Sequence, residues 1–413
     1  MEIKPDIETF AKIKVVGVGG SGGSTINQMI ASKIRGVEFV TVNTDAQALH
    51  HSRAPIRMHV GKTVTRGLGA GMDPELGRKA AEENQNELRE MLKDTDMVFV
   101  TCGLGGGTGS GAAPVVAALA KELGALTIAV VTKPFNFEGN QRIQIAEKAY
   151  EELASKVDTI ISIPNDRILQ VIEKKTSMME AFDIVDDVLR QGVQGISELV
   201  TVHGMTNVDF ADVKAIMQDA GSALMGIGYG SGDARAVEAA KNAINSPLLE
   251  VSIEGAKGIL FTITGGKDLG MYELNEAATI ITEKADPNAR IIYGTVIDDN
   301  MKDEIRVTVI AAGFGKQKVA AAGVERAANF AQKLAADAYK NPLSKLSQQS
   351  FDAKQAEPER QFSSTRASSE EKIEDPVMTE PVKKEEASIP DTQGMDIDEE
   401  DLEIPAFIRK KMM

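Results

Sequence analysis

The sequence predicts an α/β protein: a domain built on a mostly parallel sheet, one long connecting helix, a smaller α+β domain and a disordered C-terminal tail. Three observations carry that prediction. From Ile13 to about Ala312, short Val, Ile and Leu runs alternate with helical patterns, as they do when parallel strands are buried on both faces. Between Met178 and Val202, the apolar residues Met178, Phe182, Val185, Leu189, Val193, Ile196 and Val200 recur at steps of three and four, which puts one apolar stripe on one long helix. After Phe314 a short helical pattern, Val324 to Tyr339, gives way to Gln, Ser, Glu, Lys and Pro, too polar to bury a core.

Taken in order, buried strands are expected at Ile13 to Val16, Val37 to Val42, Met97 to Thr101, Leu126 to Thr132 and Thr159 to Ile163, each short and rich in β-branched or aliphatic residues. Helices separate most of them, notably Pro114 to Leu123 and Gln141 to Lys156. Beyond Gly204 the smaller unit has strands at Gly258 to Thr264, Ile291 to Val296 and Ile305 to Ala311, with helices at Ala234 to Ile244 and Met271 to Lys284. The expected boundaries are an N-terminal extension over 1–10, a first domain over 11–176, the connecting helix over 177–203, the second domain over 204–316, a mostly disordered linker over 317–395 and a terminal peptide over 396–413.

Composition narrows the function. A chain of 413 residues with 42% apolar residues has material for two compact domains. The net charge of −15 argues against a nucleic-acid partner, because phosphate backbones are held by clustered Lys and Arg. One cysteine, Cys102, leaves no intramolecular disulfide or multi-cysteine metal site, in keeping with a reducing cytoplasm. The N-terminus shows no basic region followed by an apolar stretch, and no apolar run approaches the roughly 18 residues of a membrane span. The chain is therefore expected to be neither exported nor integral. Its tail ends in the acidic stretch Asp396 to Glu403, the apolar cluster Ile404-Pro405-Ala406-Phe407-Ile408 and the basic Arg409-Lys410-Lys411. Such an ending suits a docking peptide that folds into a partner's groove, the plainer alternative being a solvated tail with a stray Phe.

Two glycine segments carry the chemistry. Gly17-Val18-Gly19-Gly20-Ser21-Gly22-Gly23-Ser24 follows the first strand and satisfies GxGxxG, a pattern that lets backbone approach a diphosphate at a helix N-terminus. Alone it would also suit a dinucleotide site, with Asn43 and Asp45 near the place of a ribose-binding acid, or a simple tight turn. Gly103 to Gly111 repeats the device after another strand, so two phosphate-type segments sit at strand C-termini of one sheet, and a dehydrogenase needs only the first. A Walker loop is disfavoured: Gly61-Lys62-Thr63 has the right ending, but Ile56 stands where its glycine is required. Phe182 and Asp186, one helical turn apart, can stack on a base and accept from its N–H edge, or Phe182 can be ordinary core. Asp209 and Asp212 open a helix, where a cap with an acid in the first turn is the common structural reading.

The run Gly105-Gly106-Gly107-Thr108-Gly109-Ser110-Gly111 resembles the signature of the tubulin/FtsZ superfamily. The segments Val42 to Leu49, Lys133 to Gly139, Ile163 to Asp166 and Asn207 to Asp212 resemble the FtsZ family of bacterial division proteins within it. The likeness spans about residues 11 to 315 and the terminal peptide, with departures at Ser24, Ser110 and Thr206. It implies a Rossmann-like GTPase domain that binds GTP or GDP, with Mg²⁺ held mainly through the phosphates and no metal site of the protein's own. By that resemblance Gly20, Ser21, Gly22, Gly23, Ser24, Asn43, Gly103, Gly106, Gly107, Thr108 and Gly109 surround the phosphates and sugar. Ala70, Gly71 and Thr132 lie near the terminal phosphate, Glu138, Arg142 and Asn165 near the ribose end, and Phe182 and Asp186 at the guanine. Asn207, Asp209 and Asp212 place the attacking water, reaching the nucleotide of the next subunit in a head-to-tail homopolymer. The resemblance further implies a cytoplasmic protein concentrated at the division septum, whose peptide residues Ile404, Pro405, Phe407, Ile408 and Arg409 meet membrane-tethering and regulatory division proteins. A nicotinamide-dependent oxidoreductase and a non-hydrolysing scaffold of the same fold are the alternatives.

Overall fold

The computed structural model describes residues 11–170, 172, 175–201, 208–249, 252–298 and 301–314. Asn207, the helical pattern over 324–339, the linker and the terminal peptide lie outside the described residues.

The strands are β1 (Ile13–Val18), β2 (Val37–Asn43), β3 (Ile56–His59), β4 (Met97–Gly103), β5 (Leu126–Lys133), β6 (Thr159–Pro164), β7 (Gly221–Ser231), β8 (Gly258–Gly265), β9 (Arg290–Ile297) and β10 (Glu304–Ala312). The helices of the first half are α1 (Gly19–Ala31), α2 (Ala46–His50), α3 (Lys62–Thr65), α4 (Pro74–Glu83), α5 (Gln85–Leu92), α6 (Gly107–Glu122), α7 (Asn140–Ala154) and α8 (Asn165–Ile168). Then come α9 (Met178–Thr201), α10 (Phe210–Met217), α11 (Arg235–Ile244) and α12 (Met271–Thr282).

All ten strands join in one sheet, ordered β3-β2-β1-β4-β5-β6-β7-β10-β8-β9. The first six pair in parallel, as their unbroken apolar runs require. Strand alternation divides β4 between two cores. Met97 and Phe99 face one that includes Val185, Leu189, Val193 and Ile196 of α9, while Val98 and Val100 face another with Ala112, Val116 and Leu119 of α6. The stripe on α9 from Val185 to Ile196 is thus spent on covering the sheet, while Met178 and Phe182 at its start stay exposed.

β7 links the two halves by changing partners. Gly221–Ala223 run parallel to β6, and Leu224–Ser231 run antiparallel to β10. Its sequence, GSALMGIGYGS, is not among the strands expected from the sequence. Gly226, Gly228 and Gly230 alternate onto one face, where a Cβ would strike the carbonyl oxygens of Ala243, Ala239 and Arg235 on α11. The glycines let helix and strand backbones touch, which offsets their poor intrinsic strand preference. A second difference concerns the glycine segments: they form the first turns of the helices themselves, since α1 begins at Gly19 and α6 at Gly107 rather than at Pro114.

Candidate nucleotide site

The site forms where β1, β4 and β5 end and α1 and α6 begin. Other helix starts nearby are closed by a side chain: the Asp45 carboxylate accepts from the backbone N–H groups of Gln47 and Ala48 on α2, and Asp73 does the same for Glu75 and Leu76 on α4. α1 and α6 have no capping side chain and no acid in the first turn. Their N–H groups and positive dipole ends stay available for an anion. The two turns also abut, because a Cβ on Gly19 would lie 3.0 Å from the amide nitrogen of Gly109.

The glycines divide by what excludes a side chain. A Cβ on Gly22 would lie 2.5 Å from the Thr101 carbonyl oxygen, one on Gly107 2.8 Å from that of Ala70, and one on Gly109 2.8 Å from that of Gly103. Backbone packing accounts for these three. Gly20 and Gly106 are different: neither has positive φ, and a Cβ on either meets nothing within 4 Å. Neither conformation nor packing demands glycine there, and the bare backbone leaves room for a ligand to approach. The segment 67–71 is fixed beside them by a 2.9 Å bond from the Gly107 N–H to the Gly71 carbonyl, and the hydroxyls of Thr44 and Thr108 are bonded at 2.6 Å.

Below these turns lies a cavity of about 210 Å³ lined by Ser21, Ser24, Gly103, Thr132, Glu138, Arg142, Asn165, Phe182 and Asp186. These sequence-predicted residues are brought together. Gly20, Gly22, Gly23, Ala70, Gly71, Gly106, Gly107, Thr108 and Gly109 are not among its lining; they belong to α1, to α6 and the residue before it, and to the segment before α4. Asn43 is buried, with its side-chain oxygen accepting from the Asp45 N–H at 3.2 Å. Two wall groups lack partners: the Asn165 Oδ1 and the Arg142 Nε are buried and make no hydrogen bond. Unpaired polar atoms beside a cavity are what a polar ligand would satisfy. Arg142 also pairs with Glu138 at 3.1 Å, and Glu138 accepts from the Phe135 N–H at 2.8 Å.

A wider cleft of about 760 Å³ adjoins the cavity, sharing Ser24, Phe182 and Asp186 with it. Phe182 is 38% exposed and meets Phe135 edge to face at 5.6 Å, so it is not buried as core. Asp186 is pushed up to about 6 by burial, helped by the nearby Asp183 charge and opposed by a hydrogen bond from Thr25. The structure adds Thr25, Leu104, Pro134 and Val185 to the residues that sequence reasoning places here. Of these, Thr25 was legible as lying one helical turn after Ser21.

Asp209 and Asp212 stand apart and line neither cavity. α10 buries Val213, Ile216 and Met217, with Phe210 only half-buried, and leaves both acids exposed. Asp209 holds the N-cap position, yet its carboxylate makes no cap hydrogen bond. The structural use of this acid is therefore unspent.

Two helix starts without a side-chain cap at strand ends, an unsatisfied cavity wall and an aromatic–carboxylate pair together suit the phosphates and base of a nucleotide. Residues 12–173 match the Tubulin/FtsZ family, GTPase domain, and residues 221–315 match the FtsZ family, C-terminal domain. An empty FtsZ dimer from M. jannaschii is similar at 45% identity and a TM-score of 0.72, over 75% of this chain and 89% of that one. A point mutant of FtsZ from the same organism gives 46% identity and 0.72, over 74% and 92%. CetZ2 from Haloferax volcanii, solved as a GTPγS-bound protofilament, shares the fold at 22% identity and a TM-score of 0.65, over 78% and 99%. The chain belongs to the tubulin/FtsZ family, in its FtsZ branch. That membership leaves the nicotinamide alternative without support.

Proposed function

We propose that the protein assembles head to tail into filaments and that each GTP is hydrolysed at a contact between two subunits. The observation that carries this reading is the separation of parts: the uncapped turns of α1 and α6 lie at the sheet's strand ends, while the unspent carboxylates Asp209 and Asp212 sit exposed on α10 and line neither cavity. A second copy brings such parts together, and a heterologous contact that does not close yields a filament.

Backbone amides of Gly20 to Ser24 and of Gly106 to Gly109 cradle the phosphates, with Ala70, Gly71 and Thr132 by the terminal one. Asn43, Gly103, Glu138, Arg142 and Asn165 frame the sugar and phosphate end, and Asn165 Oδ1 gains the partner it lacks. Phe182 stacks on guanine while Asp186 accepts from its N–H edge, a pair of donors that adenine does not offer. Mg²⁺ would be held mainly through the phosphates, where it would offset their charge. Asp209 and Asp212, with Asn207 beside them in sequence, orient the water that attacks the γ-phosphate; positioning supplies most of the rate in phosphoryl transfer. The setting is the cytoplasmic face of the division septum, reached through residues 396–413 and a membrane-tethered partner.

Phosphate release per molecule, measured against protein concentration with GTP and Mg²⁺, tests the shared site. Release near zero below a threshold and rising above it is expected; release strictly proportional to protein down to dilute monomer rejects it. Mixing Asp212→Ala with Gly106→Trp, whose added side chain starts in open space beside the phosphate turn, should restore activity that neither has alone.

A further inference from the structure

We infer that Thr25 is a positioning residue for guanine selection: its hydroxyl fixes the orientation and charge of the Asp186 carboxylate and ties the base-reading end of the site to the first phosphate turn. The inference rests on the base-reading role proposed for Asp186.

Thr25 is fully buried on α1, where a side chain with a hydroxyl is costly unless paired. Its Oγ1 lies 2.7 Å from Asp186 Oδ1 and 3.0 Å from the Ser21 carbonyl oxygen. Both neighbours are acceptors when Asp186 is ionised, and a hydroxyl has one proton to give. The nearer, charged oxygen takes it, leaving Asp186 Oδ2 for the cavity that Ser21, Phe182 and Asp186 line. When Asp186 is protonated, its O–H can donate to Thr25, and Thr25 then turns its proton to Ser21. One hydroxyl thus satisfies both states and carries the difference to Ser21, a residue of the phosphate turn.

The charged surroundings of Asp186 do not replace this bond. Asp183 on its own helix repels the carboxylate. His51 and Arg53 line the wider cleft from beyond α2, and Glu138 and Arg142, which also line the smaller cavity, are paired with each other. No cation bonds Asp186 directly among the described residues, so Thr25 is its one hydrogen-bond donor there.

The experiment is competition of GTP and ATP against a fluorescent GTP analogue from pH 5 to 8, using full-length Thr25→Val, Thr25→Ser and Asp186→Ala. Thr25→Val keeps the volume and removes the donor. Its GTP affinity at pH 7 should fall roughly tenfold, its preference over ATP should shrink, and its half-loss of binding should move upward by about one pH unit. Thr25→Ser should restore all three. If Asp186→Ala loses its preference for GTP while Thr25→Val keeps both the preference and the pH profile, the inference is wrong and the base-reading role stands. If Asp186→Ala also keeps its preference, the base-reading role falls and the inference with it. Should Thr25→Val not fold, Thr25→Ala is judged by the same three readouts.

Discussion

The phosphate-facing turns and the start of α12 use similar groups in opposite ways. At α12 the polar groups are consumed within the chain. Arg235 is buried and pairs with Asp268 at 2.6 Å and Glu273 at 2.7 Å, while Glu273 also accepts from the Gly270 N–H at 2.8 Å. At α1 and α6 no side chain caps the N–H groups, and Asn165 Oδ1 and Arg142 Nε stay unpaired in the wall. A folded chain rarely leaves such groups unsatisfied without a ligand to meet them. Polar groups that are spent report stability; polar groups that are withheld report function.

The sharpest way to break this contrast is at α10, the part of the second half where charge is withheld. Asp212→Ala should lower GTP turnover by about a hundred- to a thousandfold while GTP affinity and Tm stay near the parent values, because no internal bond is lost. A large fall in Tm would instead class Asp212 with the spent groups.

The glycines give the next largest effect. Gly20→Ala adds a methyl into open space, so Tm should hold while GTP affinity drops roughly tenfold or more. Gly22→Ala drives a methyl against the Thr101 carbonyl, so Tm itself should fall. Thermal melts with and without GTP separate the two.

Arg235→Ala should destabilise the fold by about 1 to 3 kcal/mol and leave turnover per folded molecule unchanged. The Arg235 bonds hold the Glu273 carboxyl below its ordinary range. Its share of stability is thus present above the unfolded-state value and fades as the pH drops through the lowered one. The acid limb of a pH–stability curve should therefore flatten in Arg235→Ala.

Smallest is the pH response of binding. Asp186 is raised to about 6, and it must be ionised to accept from guanine. Affinity should be steady above pH 7 and fall about tenfold by pH 5, the ratio set by the charged fraction. Isothermal titration across that range checks it, and a flat profile would remove Asp186 from base recognition.

How much of this was legible in advance depends on what each residue answers to. β1, β2, β4, β5 and β6 were readable because burial on both faces writes an unbroken aliphatic run. The stripe on α9 was readable because one face meets the sheet. β7 was not: its glycines answer to the backbone of α11, a separate element, and local patterning carries no trace of a helix that packs there only after folding. β3 has only four residues at the sheet edge. Within the site, the glycine turns were visible, but which of them answer to packing depends on carbonyl oxygens brought around them from elsewhere in the chain. The pairing of Thr25 with Asp186 spans 161 positions and no periodicity reveals it.

The glycine face of β7 bears on how tolerance to substitution should be read across this chain. At positions 226, 228 and 230 even alanine collides with main-chain oxygen of α11. A saturation-mutagenesis map will show a tract of strict intolerance there, remote from both cavities, whose severity rivals that of the nucleotide-facing turns. Growth at lowered temperature or overexpression, which rescues poorly folding alleles, should recover some of these variants and none of those at Asp212. Intolerance alone would label the two tracts alike; their response to rescue sorts architecture from chemistry.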